Sequence, residues 1–240
     1  MTDIRSEHRR LFNEELRGVS ESVVKLGGLV ERAVRLATRA FLDRDLSVAE
    51  RVIAGDGRVN QLTRDIEEET YLILARQQPV AADLRLLVSV LRVIQELERS
   101  GDLMVNVAKA TRRLYPTEPT REQRRIITSM GEQAAAQLRL AVDAFAGRDA
   151  VMAAALPDMD DAMDDLERAM FRSILSTPTP EDLDLQRAVQ FALVGRFYER
   201  VADHAVNIGE RVCYMVTGEA PPEQQSLTQP GDEFLDQGGE

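Results

Sequence analysis

Tryptophan is absent from the 240 residues, aromatics of all kinds make up 5%, and the chain holds one cysteine and two histidines. Each shortage excludes something. With Cys213 alone no intrachain disulfide can form, and it reads as a buried apolar residue rather than a nucleophile. No apolar run approaches the roughly 18 residues needed to cross a bilayer, so any membrane link has to run through a partner. The N-terminus MTDIRSEHRR is charged where a signal peptide would be apolar, which points to the cytoplasm. The poverty in aromatics argues against a β-sandwich, whereas the abundance of Leu, Ala, Glu, Arg and Val is that of helix packed on helix. An all-α protein is expected.

Catalytic signatures are missing too. Neither a Gly-rich phosphate loop, a nucleophile elbow nor a Cys-His pair occurs. Ferritin-like di-iron oxidases need Glu-x-x-His on inward helix faces, a spacing the chain lacks, and His8 and His204 are expected at a surface or a helix contact. The sequence therefore reads as a non-enzyme.

Charge is plentiful. The formal net charge is −11, but residues 218–240 carry six acidic residues and no Lys or Arg, leaving about −5 on the rest. An acidic chain without a basic patch has no electrostatic footprint for phosphate backbones, so direct nucleic-acid binding is not expected.

The 3.6-residue periodicity predicts a first helix from Ile4 to Leu42, ended at "DRD", where Asp45 caps a second helix over Leu46–Gln77. A third begins around Pro79, in its first turn, and reaches Arg113. "YPTEPT", residues 115–120, is a linker. The pattern then recurs: "RLAVDAFAGRD" (139–149) matches "RLATRAFLDRD" (35–45) at an offset of 104, "DDLE" (164–167) echoes "RDIE" at 100, "PEDLDL" echoes "PVAADL" at 101, and Glu199 echoes Glu98 at 101. The organisation expected is a first three-helix bundle over 1–114, a second over 121–217, related by an approximate twofold axis, and a disordered acidic tail over 218–240.

The most unusual repeat is Glu-Arg-x-x-Asp-x-x-x-Asn, written in "LERSGDLMVNV" (97–107) and again in "YERVADHAVNI" (198–208). With Ile94 at zero on a helical wheel, Glu98 lies near 40°, inside an apolar arc made by Leu87, Leu91, Gly101 and Val105; Asp102 falls at its edge and Asn106 beyond. Glu199, Asp203 and Asn207 take the same stations. A carboxylate beside an apolar seam needs an arginine, hydrogen bonds, a proton or a metal ion. Arg99 and Arg200 are the obvious ion-pair partners, yet each points about 100° away from its neighbouring Glu. The other reading is that Glu and Asp at i and i+4 present oxygen ligands to a hard or borderline cation. In "PDMDDAMDDLERA", Asp160 and Asp164 form a second i, i+4 pair, whose first-unit counterparts are Asn60 and Arg64, with Asp56 and Glu67 as substitutes. The second site is thus expected to be richer in ligands and to bind metal more tightly.

These two motifs, together with "QQPVAADLR" and the "RD" helix ends, resemble the PhoU family of phosphate-transport regulators, over roughly residues 5–217. The resemblance implies two tandem three-helix bundles whose acidic motifs hold metal ions on the outer surface, carried here by Glu98, Asp102, Glu199 and Asp203, with Asp160 and Asp164 as an extension; Fe, Mn, Mg and Zn all suit such ligands. It further implies a cytoplasmic adaptor that couples a phosphate ABC transporter, through its ATPase subunit, to a sensor histidine kinase, repressing the phosphate-starvation response. A homodimer is plausible for such long helices. The alternatives are a carboxylate-bridged metalloenzyme, which would use open coordination positions to activate water, and a metal-free helical scaffold.

Overall fold

The computed structural model describes residues 2–176 and 182–219, with side chains for 7–176 and 185–219. The tail predicted to be disordered lies, from residue 220 on, outside the described residues, as does the echo at Pro180. Seven helices and no strand are described: α1 (Thr2–Asp43), α2 (Leu46–Gln77), α3 (Ala81–Leu114), α4 (Arg121–Gly147), α5 (Ala150–Ala153), α6 (Leu156–Leu175) and α7 (Asp182–Thr217).

The "RD" helix ends work in the same way in both units. Arg44 and Arg148 adopt left-handed φ angles of 56° and 51°, which turn the chain out of α1 and α4. The following Asp45 and Asp149 then accept two backbone N–H groups each, from Ser47 and Val48 and from Val151 and Met152, capping the next helix. α4 itself starts with a reciprocal cap between Thr120 and Gln123.

Within each unit α1, α2 and α3, or α4, α6 and α7, pack mutually, and the units meet through α1 against α4 and α3 against α7, so one hydrophobic core runs through both. The approximate twofold is visible at atomic level. An added Cβ on Gly27 would stand 2.5 Å from Val142 Cγ2, and one on Gly131 would overlap Thr38. Gly131 and Val142 are the counterparts, at offset 104, of Gly27 and Thr38, so a single close contact is made twice with the roles of α1 and α4 exchanged. Beside it the buried Tyr198 hydroxyl meets Thr38 Oγ1 at 2.8 Å, tying α7 to α1 across the interface.

Three expectations need correction. The middle helix of the second unit is broken into α5 and α6. Arg64 follows Asp45 by 19 residues but Asp164 follows Asp149 by 15, so that unit has about one helical turn less, and Pro157 sits where the chain restarts as α6. Pro79 is not in the first turn of α3: Val80 is the extended N-cap and the helix begins at Ala81. The apolar arc assigned to α3 is too narrow, because the residues that continue it on one side, including Val93, Leu97, Met104 and Ala108, are also buried in a helix packed on three others.

Candidate functional site

Because α3 and α7 each bury one broad face, their Glu/Asp pairs fall on its border, which faces the middle helix, and not in the seam between units. In the first unit Glu98 is half-buried and Asp102 exposed, and Asp56 of α2 is near enough for its charge to act on both. Burial pushes the Glu98 carboxyl above its ordinary value, with Asp102 and Asp56 adding to the rise; burial and then Asp56 do the same for Asp102. Asp56 Oδ2 accepts from Asn60 Nδ2 at 3.0 Å, while its buried Oδ1 has no partner.

The second station has the same architecture and more carboxylates. Glu199 is 7% exposed, and burial first, then Asp203, pushes it up to about 7, Arg196 pulling the other way and Glu167 and Asp164 adding repulsion. Asp160 is raised by burial, Asp203 and Asp164. α6 therefore turns Asp160 and Asp164 towards α7, while Asp158, Asp161 and Asp165 stay at the surface. Buried Asp160 Oδ1 and Glu199 Oε2 find no hydrogen-bond donor.

The ion-pair partners differ from those the sequence suggested. Arg99 reaches Glu96 at 3.6 Å and not Glu98, and Glu199 is met at 2.6 Å by Arg196, one turn earlier on α7, which also lies 3.6 Å from Glu167. Arg168 likewise spans Asp164 and Asp165. The spacing Arg196-x-x-Glu199 could have revealed this pairing, since i and i+3 share a helix face. Of the two places expected for His204 the structure gives the helix contact: 7% exposed, it sits 2.5 Å from Glu96 Oε2 across the α3–α7 interface. Burial alone would raise the Glu96 carboxyl, but His204 and Asn207 outweigh it and hold it below its ordinary value.

As the side chains stand, no group of three or more His, Cys, Asp or Glu among the described residues is arranged to share one ion. The fit to a cation lies in donor chemistry. Each station gathers carboxylates that raise one another's proton affinity and leaves buried oxygens without donors, a deficit that a hard cation or protons would relieve. Asp56, Glu98 and Asp102 are the available donors of the first; Asp160, Asp164, Glu199 and Asp203 those of the second. Rotation of Glu199 away from Arg196 would be required there.

The fold and these stations define an internally duplicated helical-bundle protein with one acidic station per repeat. A family model described as the PhoU domain matches residues 23–111 and 127–212, one match per repeat. The chain belongs to the PhoU family. It is 39% identical over 222 residues to the phosphate-specific transport system accessory protein PhoU homolog 1 of Mycobacterium tuberculosis, covering 92% of this chain and 97% of that protein. The crystal structure of PhoU from Pseudomonas aeruginosa superposes with a TM-score of 0.81 at 34% identity, covering 87% of this chain and all of that one. That of the phosphate transport system regulatory protein PhoU from Streptococcus pneumoniae gives 0.79 at 30% identity, covering 88% and 99%. No helix among the described residues is long and apolar enough to cross a membrane.

Proposed function

We propose that this protein is a cytoplasmic accessory regulator of phosphate uptake, acting by binding rather than by turnover. It couples a phosphate ABC transporter, through the ATPase subunit, to a sensor histidine kinase and represses the phosphate-starvation response. The observation that carries this reading is the near-complete match of both repeats to relatives named as accessory or regulatory proteins of phosphate transport. Such an adaptor acts only if it binds two states of the membrane assembly unequally. The long outer faces of α2 and α6 are available to different partners, and two copies of the chain are proposed to pair.

In this reading the acidic stations hold metal ions, which would neutralise the crowded carboxylates and fix α2 on α3 and α6 on α7. The chain's own part is to gather oxygens and to supply Arg196 as the cation that Glu199 meets otherwise. That same arginine is what favours a metal-free scaffold as the second reading. Crosslinking in cells followed by affinity purification tests the adaptor: the transporter ATPase and a histidine kinase should be recovered, and their absence from the crosslinked material would oppose it. Elemental analysis of protein purified without chelator separates the two readings of the stations, since a scaffold would carry no stoichiometric metal.

A further inference from the structure

The two repeats differ at a groove in the first unit, between α1, α2 and the middle of α3. It encloses about 300 Å³, near the lower end of the range for small-molecule sites. Its floor is apolar, with Leu29, Val52, Val59 and Val105, and its rim carries Arg32 from α1 and Arg51 and Arg58 from α2. On α2 the arginines flank Gly55 at i−4 and i+3, so the three residues form one stripe with bare backbone between two cations. Nothing stands within 4 Å of where a Gly55 Cβ would be.

Arg51 acts at a distance on the capping Asp45 carboxylate, and Arg32 and Arg58 have no such neighbour. Among the described residues none of the three arginines makes an ion pair or a side-chain hydrogen bond, in a chain whose net charge is −11 and where other surface arginines such as Arg35 and Arg112 find a carboxylate. In the second repeat the corresponding positions are filled differently. The counterparts of Arg32 and Arg58 are Ala136 and Asp158, and Arg51 belongs to the turn that the second unit lacks. Leu29, Ala33 and Val59 are replaced by Gln133, the fully buried Gln137 and Met159, and Gln133 Nε2 closes the space by donating to the Met159 carbonyl at 2.7 Å.

We propose that this groove binds a phosphomonoester with an apolar or aromatic body, the body on the valine floor and the phosphate between the arginines. Three guanidiniums less the neighbouring Asp56 carboxylate leave a net charge of about +2, which a phosphomonoester dianion balances and a single carboxylate does not. The site does not depend on the adaptor reading; it borders the first station and shares Asp56 with it, but uses neither Glu98 nor Asp102, and a titration in chelator reads the groove without metal.

The test is titration calorimetry of the full chain in chelator with 1-naphthyl phosphate, inorganic phosphate and 1-naphthol. The expected result is one equivalent of 1-naphthyl phosphate bound at least tenfold more tightly than either other probe. Arg32→Ala with Arg58→Ala should weaken it tenfold or more, and Gly55→Leu, which fills the groove from an open helix position, should abolish it while thermal unfolding shows the variant folded. The proposal is overturned by inorganic phosphate binding as tightly as the ester, by no heat from 1-naphthyl phosphate at millimolar concentration, or by binding that survives Gly55→Leu.

Discussion

Glu199→Gln should make the protein more stable in alkali than in acid, relative to the parent. The native carboxyl titrates at about 7 against an ordinary value of 4.5. Below 4.5 both native and unfolded chains carry the proton and the group is neutral in the balance. Between 4.5 and about 7 the unfolded chain ionises first, so stability falls as pH rises, and above 7 the native state bears the full penalty of a crowded buried carboxylate. At about 1.36 kcal/mol per pH unit the rise corresponds to ~3.4 kcal/mol. The partner Arg196 is half exposed, so solvent screens part of that, and about 1.5 kcal/mol is the figure to expect. Glutamine keeps an oxygen for Arg196 and removes the charge. Urea unfolding in chelator at about pH 5 and about pH 8 should therefore show the variant's advantage growing by ~1 kcal/mol between the two, the rest being already present at pH 5. In thermal melts this is ~2–4 °C for a chain of this size. An advantage that stays constant or reverses would mean that Glu199 is ionised throughout and that the station is an ordinary ion pair.

The reciprocal helix contact predicts that Gly27→Ala costs ~1–3 kcal/mol by driving a methyl into Val142, whereas Gly28→Ala next to it, facing open space, gains up to ~1 kcal/mol; chemical denaturation reads both. Tyr198→Phe should lose ~0.5–1.5 kcal/mol with little change in the fold, because Thr38 keeps its bond to the Val34 carbonyl. Arg196→Ala should lower stability in chelator yet raise the affinity of the second station for added Mn²⁺ or Fe²⁺, measured by calorimetry; unchanged or weaker affinity would show that the arginine does not compete with a cation.

Much of the architecture was legible because the repeat, the periodicity and the helix ends agreed: α2 lies where apolar spacing and Asp45 put it. The break between α5 and α6 was written in the offsets, which fall from 104 to 100 around "AALPDM", but a periodicity reading passes over a lost turn. The wheel misplaced the acidic strip for a physical reason. A helix packed on three neighbours has an apolar arc much wider than one seam, and Glu98 sits at its edge. Pairings across helices, such as Glu96 with His204 and Tyr198 with Thr38, depend on which faces meet, and no local spacing records that. The pairing of Arg196 with Glu199 is local and is written in their i, i+3 spacing, whereas Arg200, next to Glu199 in the repeated Glu-Arg dipeptide, points about 100° away from it.

The regulatory role is tested most directly by deleting the gene, together with any paralogue, and measuring phosphate-starvation transcripts in phosphate-rich medium, with and without the wild-type gene restored. Transcripts should rise on deletion and return to the repressed level on restoration. Repression that persists in the deleted strain would contradict the account.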